Sequence, residues 1–147
     1  VAIAREPSFF RDHGVADTVD GRFDALALVV ALVMRRLKSC GDEGAELSQQ
    51  LFDSMFSDMD LSLREMGAGD IGVSKRVRIM AEAFMGRLDA YVSAIDDGDR
   101  EALAAAIGRN LLRDEGTASP ELVDFVLALE ARLSALEDDV LLAGGLG

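Results

Sequence analysis

Residues 25–34 read ALALVVALVM, an unbroken run of ten apolar residues. A segment that is apolar on every side must be surrounded, so this chain has to wrap other elements around it. Ten residues are too few to span a bilayer, which takes about 20, and a run of this length reads as a buried helix. With its flanks it predicts a helix over residues 20–39 that ends at Gly41. The last turn holds Arg35, Arg36 and Lys38, cations that the helix dipole favours there. This helix is expected at the centre of the fold. Its basic end is the candidate for a peripheral contact with an acidic membrane surface.

The rest of the chain supplies helices to surround it. In residues 46–66, Phe52, Met55, Phe56, Met59, Leu63 and Met66 follow the i, i+3, i+4 rhythm of one buried stripe. Asp53, Ser57, Asp60 and Arg64 mark a polar stripe, with Asp60 and Arg64 spaced for an i,i+4 ion pair. Gly67 suits a left-handed C′ position. Ser74 reads as the N-cap of a helix over residues 74–95, whose core stripe is Val77, Met80, Ala81, Phe84, Leu88, Tyr91, Val92 and Ile95. Ala83, Gly86 and Ala90 form a second, small-residue face, expected to be the floor of a groove walled by methionines. Asp96, Asp97 and Gly98 end that helix. A further helix spans residues 99–112, and Ser119-Pro120 is an N-cap with proline at N1 before an apolar stripe running to Leu136. A short turn or helix at residues 6–11 would pack Phe9 and Phe10 onto the bundle. The expected fold is all-α, a compact single domain of 147 residues with about five main helices plus that short N-terminal piece.

Composition narrows the function mainly by exclusion. The net charge of −12 argues against general nucleic-acid binding, which needs a positive surface. The lone Cys40 has no partner for an internal disulfide, which fits a reducing compartment. His13 is the one histidine and reads as a loop residue. Asp53, Asp58 and Asp60 lack calcium-loop spacing, since no Gly and Glu follow at the required positions. Residues 67–72 are Gly-rich but have neither a preceding strand nor the Gly-Lys-Ser/Thr of a phosphate loop. There is no nucleophile elbow and no Glu-x-x-His pair. No catalytic residue, metal or cofactor is therefore assigned.

One pattern breaks a local rule. Read with the helix starting at Ser74, Lys75, Arg76 and Arg78 fall in its first turn, where the dipole disfavours cations. Either acids of the preceding helix neutralise them or they meet a partner. Met55, Met59, Met66, Met80 and Met85 gather near the same joint; methionine serves both as core filler and at surfaces that receive apolar peptides.

Residues 51–91 read LFDSMFSDMDLSLREMGAGDIGVSKRVRIMAEAFMGRLDAY, with GVADTVDGRFDALALVVALVMRRLK before and EALAAAIGRNL after. In these blocks, taken in order, the chain resembles the ubiquinol–cytochrome c chaperone family, assembly factors of respiratory complex III. The resemblance implies an all-helical, non-enzymatic chaperone that binds newly made cytochrome b, in the cytoplasm or peripheral on the inner membrane. A second implied partner is another small helical assembly factor. The family block falls on Asp53, Met55, Asp58, Asp60, Arg64, Glu65, Gly67, Lys75, Phe84, Tyr91 and Arg109. Arg76, Arg78, Met85 and Arg87 lie among them and complete the candidate partner-binding set. Mitochondrial relatives tend to carry a His-Val-Trp run where this chain has Val29-Val30-Ala31, so no side chain there can ligate haem. They often have tyrosine where Met85 stands. An adaptor that binds another helical protein, with no membrane-protein client, is the alternative reading.

Overall fold

The computed structural model describes residues 19–65, 67, 69–112 and 118–142. In chain order these form α1 (Val19–Leu37), a 3-10 turn (Lys38–Cys40), α2 (Gly41–Glu65), α3 (Asp70–Asp96), α4 (Arg100–Asn110), α5 (Pro120–Ala135) and the short α6 (Asp138–Leu142). The fold is all-α, with no strand among the described residues. The turn expected at residues 6–11, with Phe9, Phe10 and His13, lies outside them, as do Met66 and Gly116.

The apolar run does what its composition requires. Residues 27–33 are buried without interruption, and α1 packs against α2, α3 and α5. Its two sides serve two different cores. Ala25, Leu28, Val29, Leu32 and Leu37 join an aliphatic cluster with Leu103 and Ile107 of α4 and Leu122, Val126, Leu129 and Leu133 of α5; Tyr91 and Ala94 of α3 complete it. Phe23, Ala27 and Val30 join a second cluster with Met55, Phe56, Met59 and Leu63 of α2 and with Met80 and Phe84 of α3. The expected stripes on residues 46–66 and 74–95 are thus the ones that face inward.

The boundaries differ from expectation at two places. Helix α2 starts at Gly41, not near residue 46, because the chain reverses there within a few residues. Gly41 takes φ +67°, and Gly44 lies so close to Leu37 that a Cβ would run into the Leu37 carbonyl. Helix α3 starts at Asp70 after an extended Gly69, one turn before Ser74. Lys75, Arg76 and Arg78 therefore sit in the second and third turns, beyond most of the dipole's reach. Their conflict with the helix start is correspondingly small.

The other signals operate as read. Gly67 has φ +86° and donates its N–H to the Arg64 carbonyl at 3.0 Å. Gly98 has φ +65°; it donates to the Ile95 carbonyl while Asp99 donates to that of Ala94, the paired bonds of a Schellman ending. The Asp99 side chain then accepts from Ala102 N–H and caps α4, so one residue closes a helix and opens the next. Ser119 caps α5 by accepting from Leu122 N–H, with Pro120 at the first turn. The short α6 follows beyond Leu136.

Two arginines lock the aliphatic half. Arg35 donates to Asp96 at 2.8 Å and to Glu130 at 2.9 Å, joining α1 to the end of α3 and to α5. Arg36 donates to the carbonyls of Leu133 and Leu136 and to Asp138 at 2.6 Å, satisfying the frayed end of α5 and holding α6. That contact holds the Asp138 carboxyl below its ordinary pKa and raises that of Arg36. The basic end of α1 is thereby turned to internal use. Of the three cations read as a membrane patch, Arg35 and Arg36 are engaged with carboxylates, while Lys38 is exposed and makes no ion pair among the described residues.

Candidate partner-binding surface

The α2–α3 hairpin sorts the candidate residues into an inner and an outer set. Periodicity decides the sorting, since residues three and four apart share a helix face. Met55, Phe84 and Tyr91 are buried and support the hairpin from beneath. Phe52, Phe56, Phe84 and Phe23 form a connected ring cluster with centroids 4.8–6.0 Å apart, within the range for favourable edge and tilted contacts.

Arg87 also points inward. Its guanidinium donates to Asp24 at 2.6 Å and lies 5.6 Å from the Phe23 ring centroid. Asp24 is only 1% exposed, so a carboxylate sits inside the fold next to an aromatic core. Such a group is tolerated only with a close partner, and Arg87 supplies one. Tyr91 is nearby, and its buried hydroxyl makes no hydrogen bond. Burial pushes its pKa well above the ordinary tyrosine value, with the charge of Arg87 opposing. Sequence reasoning missed Asp24. Its one signal was a carboxylate directly abutting the apolar run.

The outer set lines the solvent face. Asp53, Asp58 and Glu65 are exposed on α2, and Asp53 accepts a hydrogen bond from Gln49 at 3.0 Å. Asp60 and Arg64 form the expected i,i+4 ion pair at 3.0 Å. Gly67 is exposed at the joint, and Lys75, Arg76, Arg78 and Met85 are exposed on α3; Arg109 is exposed on α4.

The groove expected between these helices is not formed by the residues assigned to it. Ala83 and Gly86 face solvent instead of α2, and a Cβ on Gly86 would meet no atom; Ala90 is half-buried against the aliphatic core. Met55, Met59 and Met80 pack inside the second core, so they fill it and do not wall a groove. Exposed apolar surface appears instead on the outside, with Ile79 at 52% and Met85 at 51% on α3 and Leu61 at 57% on α2. Ile79 and Leu61 were not singled out from the sequence, because a lone apolar residue off the core stripe carries no periodic signal.

Among the described residues no group of His, Cys, Asp and Glu is placed to hold a metal ion. No helix among them is long and apolar enough to cross a membrane.

Comparison with known proteins agrees with the family resemblance. The sequence matches the family profile described as ubiquinol-cytochrome C chaperone over residues 11–146. Among curated proteins there is no match. The crystal structure of the Cbp3 homolog from Brucella abortus is similar to this chain with a TM-score of 0.84 and 39% sequence identity, covering 97% of this chain and 80% of that one. A profile match across nearly the whole chain, joined to the same fold at that identity, shows that this chain belongs to the ubiquinol–cytochrome c chaperone family.

Proposed function

We propose that this protein is a non-enzymatic assembly chaperone that binds newly made cytochrome b through the outer face of the α2–α3 hairpin. It would act at the cytoplasmic side of the inner membrane during assembly of ubiquinol–cytochrome c reductase. Family membership supports the assembly role. The observation that carries the choice of surface is the exposure of two large apolar residues on α3, Ile79 and Met85, near Gly86, over which there is open space. An apolar segment awaiting insertion needs a surface of this kind, because exposed apolar patches mark contact sites. Asp53, Asp58 and Glu65 on the neighbouring α2 would steer basic loop residues of the client.

The test is capture of cytochrome b during its synthesis. A photo-cross-linker at position 85 is expected to trap it. Met85→Glu, and separately Asp53→Lys with Asp60→Lys, are expected to reduce capture and the level of assembled reductase in a protein that keeps its helical signal. Undiminished capture in both variants refutes the surface. A stable stoichiometric complex with another helical protein, with no cytochrome b contact at all, refutes the client and favours an adaptor.

A further inference from the structure

The solvent face of α3 is polarised along its length. Lys75, Arg76 and Arg78 are exposed in its N-terminal half, Asp89 is exposed in its C-terminal half, and Asp96 ends the helix with no cation in the last turn. Among the described residues Lys75, Arg78, Glu82 and Asp89 take part in no ion pair, whereas Arg35, Arg36, Arg64, Arg87 and Arg100 each grip a carboxylate. Between the two charged halves lie Ile79, Ala83, Met85 and Gly86, all exposed. Gly86 leaves room above the backbone for another helix to approach closely.

We propose that this face pairs with a second copy of itself, two α3 helices lying antiparallel about a two-fold axis near residues 83 and 84. An isologous contact requires a surface that is its own complement. A helix face positive at one end and negative at the other meets that requirement in the antiparallel orientation only. With the axis there, Arg78 and Asp89 lie at equal distances on either side, about 8 Å along the helix at 1.5 Å per residue. Arg78 of each copy therefore comes level with Asp89 of the other, twice by symmetry. Ile79, Met85 and the open surface at Gly86 fall inside the contact. Glu82, close to the axis, approaches Glu82 of the other copy, a like-charge contact that the two Arg78–Asp89 pairs must outweigh.

A contact between single helices is at the small end of specific interfaces, so the dimer is weak and reversible, with a dissociation constant of about 10–100 µM. It covers the apolar residues of α3 when no partner is present. Self-association and client capture then compete for one face. That competition rests on the function proposed above, while the dimer does not.

Sedimentation of the purified chain from about 1 µM to about 1 mM tests it. Wild type is expected to shift from monomer to dimer, with the transition moving to higher concentration as salt is raised. Arg78→Glu alone and Asp89→Arg alone should each weaken the dimer at least about tenfold, and the double variant R78E/D89R should restore it to within about threefold. Both side chains are exposed and have no ion pair within the chain, so helical content measured alongside should stay constant. A monomer throughout the range overturns the proposal, and so does a dimer that neither single reversal weakens. Dimerisation with no capture of cytochrome b refutes the client reading alone; capture with no dimer refutes the pairing alone.

Discussion

The two cores are built from different materials. The one shared by α1, α3, α4 and α5 is mainly leucine, valine, isoleucine and alanine with the ring of Tyr91 among them, closed at its rim by the Arg35 and Arg36 clamps and by helix caps at Asp99 and Ser119. The one under the α2–α3 hairpin is mainly phenylalanine and methionine beside the Asp24–Arg87 pair, and α2 rests on it through rings, thioethers and Leu63. Branched aliphatic side chains fix a single packing, whereas methionine adapts its shape at little cost. The comparison assigns rigidity to one half of the molecule and adaptability to the half that bears the candidate surface. Hydrogen exchange should therefore protect α4 and α5 more strongly than α2.

Four substitutions or conditions would break or sharpen this contrast. Phe84 touches both Phe52 and Phe56, so Phe84→Ala should cost about 3–5 kcal/mol in denaturant unfolding. A loss under about 1 kcal/mol would mean that the methionines collapse into the space and the ring cluster is dispensable. Arg87→Met leaves the buried Asp24 without its guanidinium, at about 3 kcal/mol, and should loosen the α2–α3 half first by exchange. Equal loosening of α4 and α5 would show that the two halves unfold as one. Gly44→Ala forces a methyl against the Leu37 carbonyl, an overpacking worth about 1–3 kcal/mol, read as a drop in melting temperature. No drop would mean that the α1–α2 junction is free to shift.

The smallest effect concerns the clamp on α6. The pKa of Asp138 is lower in the folded protein than in the unfolded chain, so its contact with Arg36 stabilises above the ordinary carboxylate range. That stability is lost as pH falls through the folded value. Protection of α6 should decline as pH falls below the ordinary carboxylate range, and Asp138→Asn should flatten that decline. Unchanged pH dependence in the variant would remove Asp138 from the clamp.

What was legible in the chain is what local rules control. The inward stripes of α2 and α3, the left-handed Gly67, the Asp60–Arg64 pair and the Ser119-Pro120 start all depend on residues a few positions apart. The start of α3 was misplaced because Ser74 carries a strong capping signal. A helix already nucleated by its packed stripe extends backward by a turn at little cost, even through Gly72. The roles of Asp24, Arg35 and Arg36 were hidden for another reason. Their partners Arg87, Asp96, Glu130 and Asp138 lie 61–102 residues away in sequence, and only tertiary packing brings them together. The same limit applied to the surface: the small residues of α3 were identified, but which way they face depends on where α1 and α2 sit.

The uninterrupted burial of residues 27–33 in α1 has a mechanical consequence. Val29 and Val30 are adjacent in the chain, yet one packs among the leucines and the other among the rings. A rotation of α1 by a few degrees therefore displaces side chains in both cores at once, since neither side of the helix has solvent to absorb the motion. Strain introduced at the hairpin by a docking partner would be felt at the α5 end through α1, and through α3, which also lines both cores. Paired substitutions at positions 29 and 30 should then show non-additive stability effects although the two side chains belong to different cores.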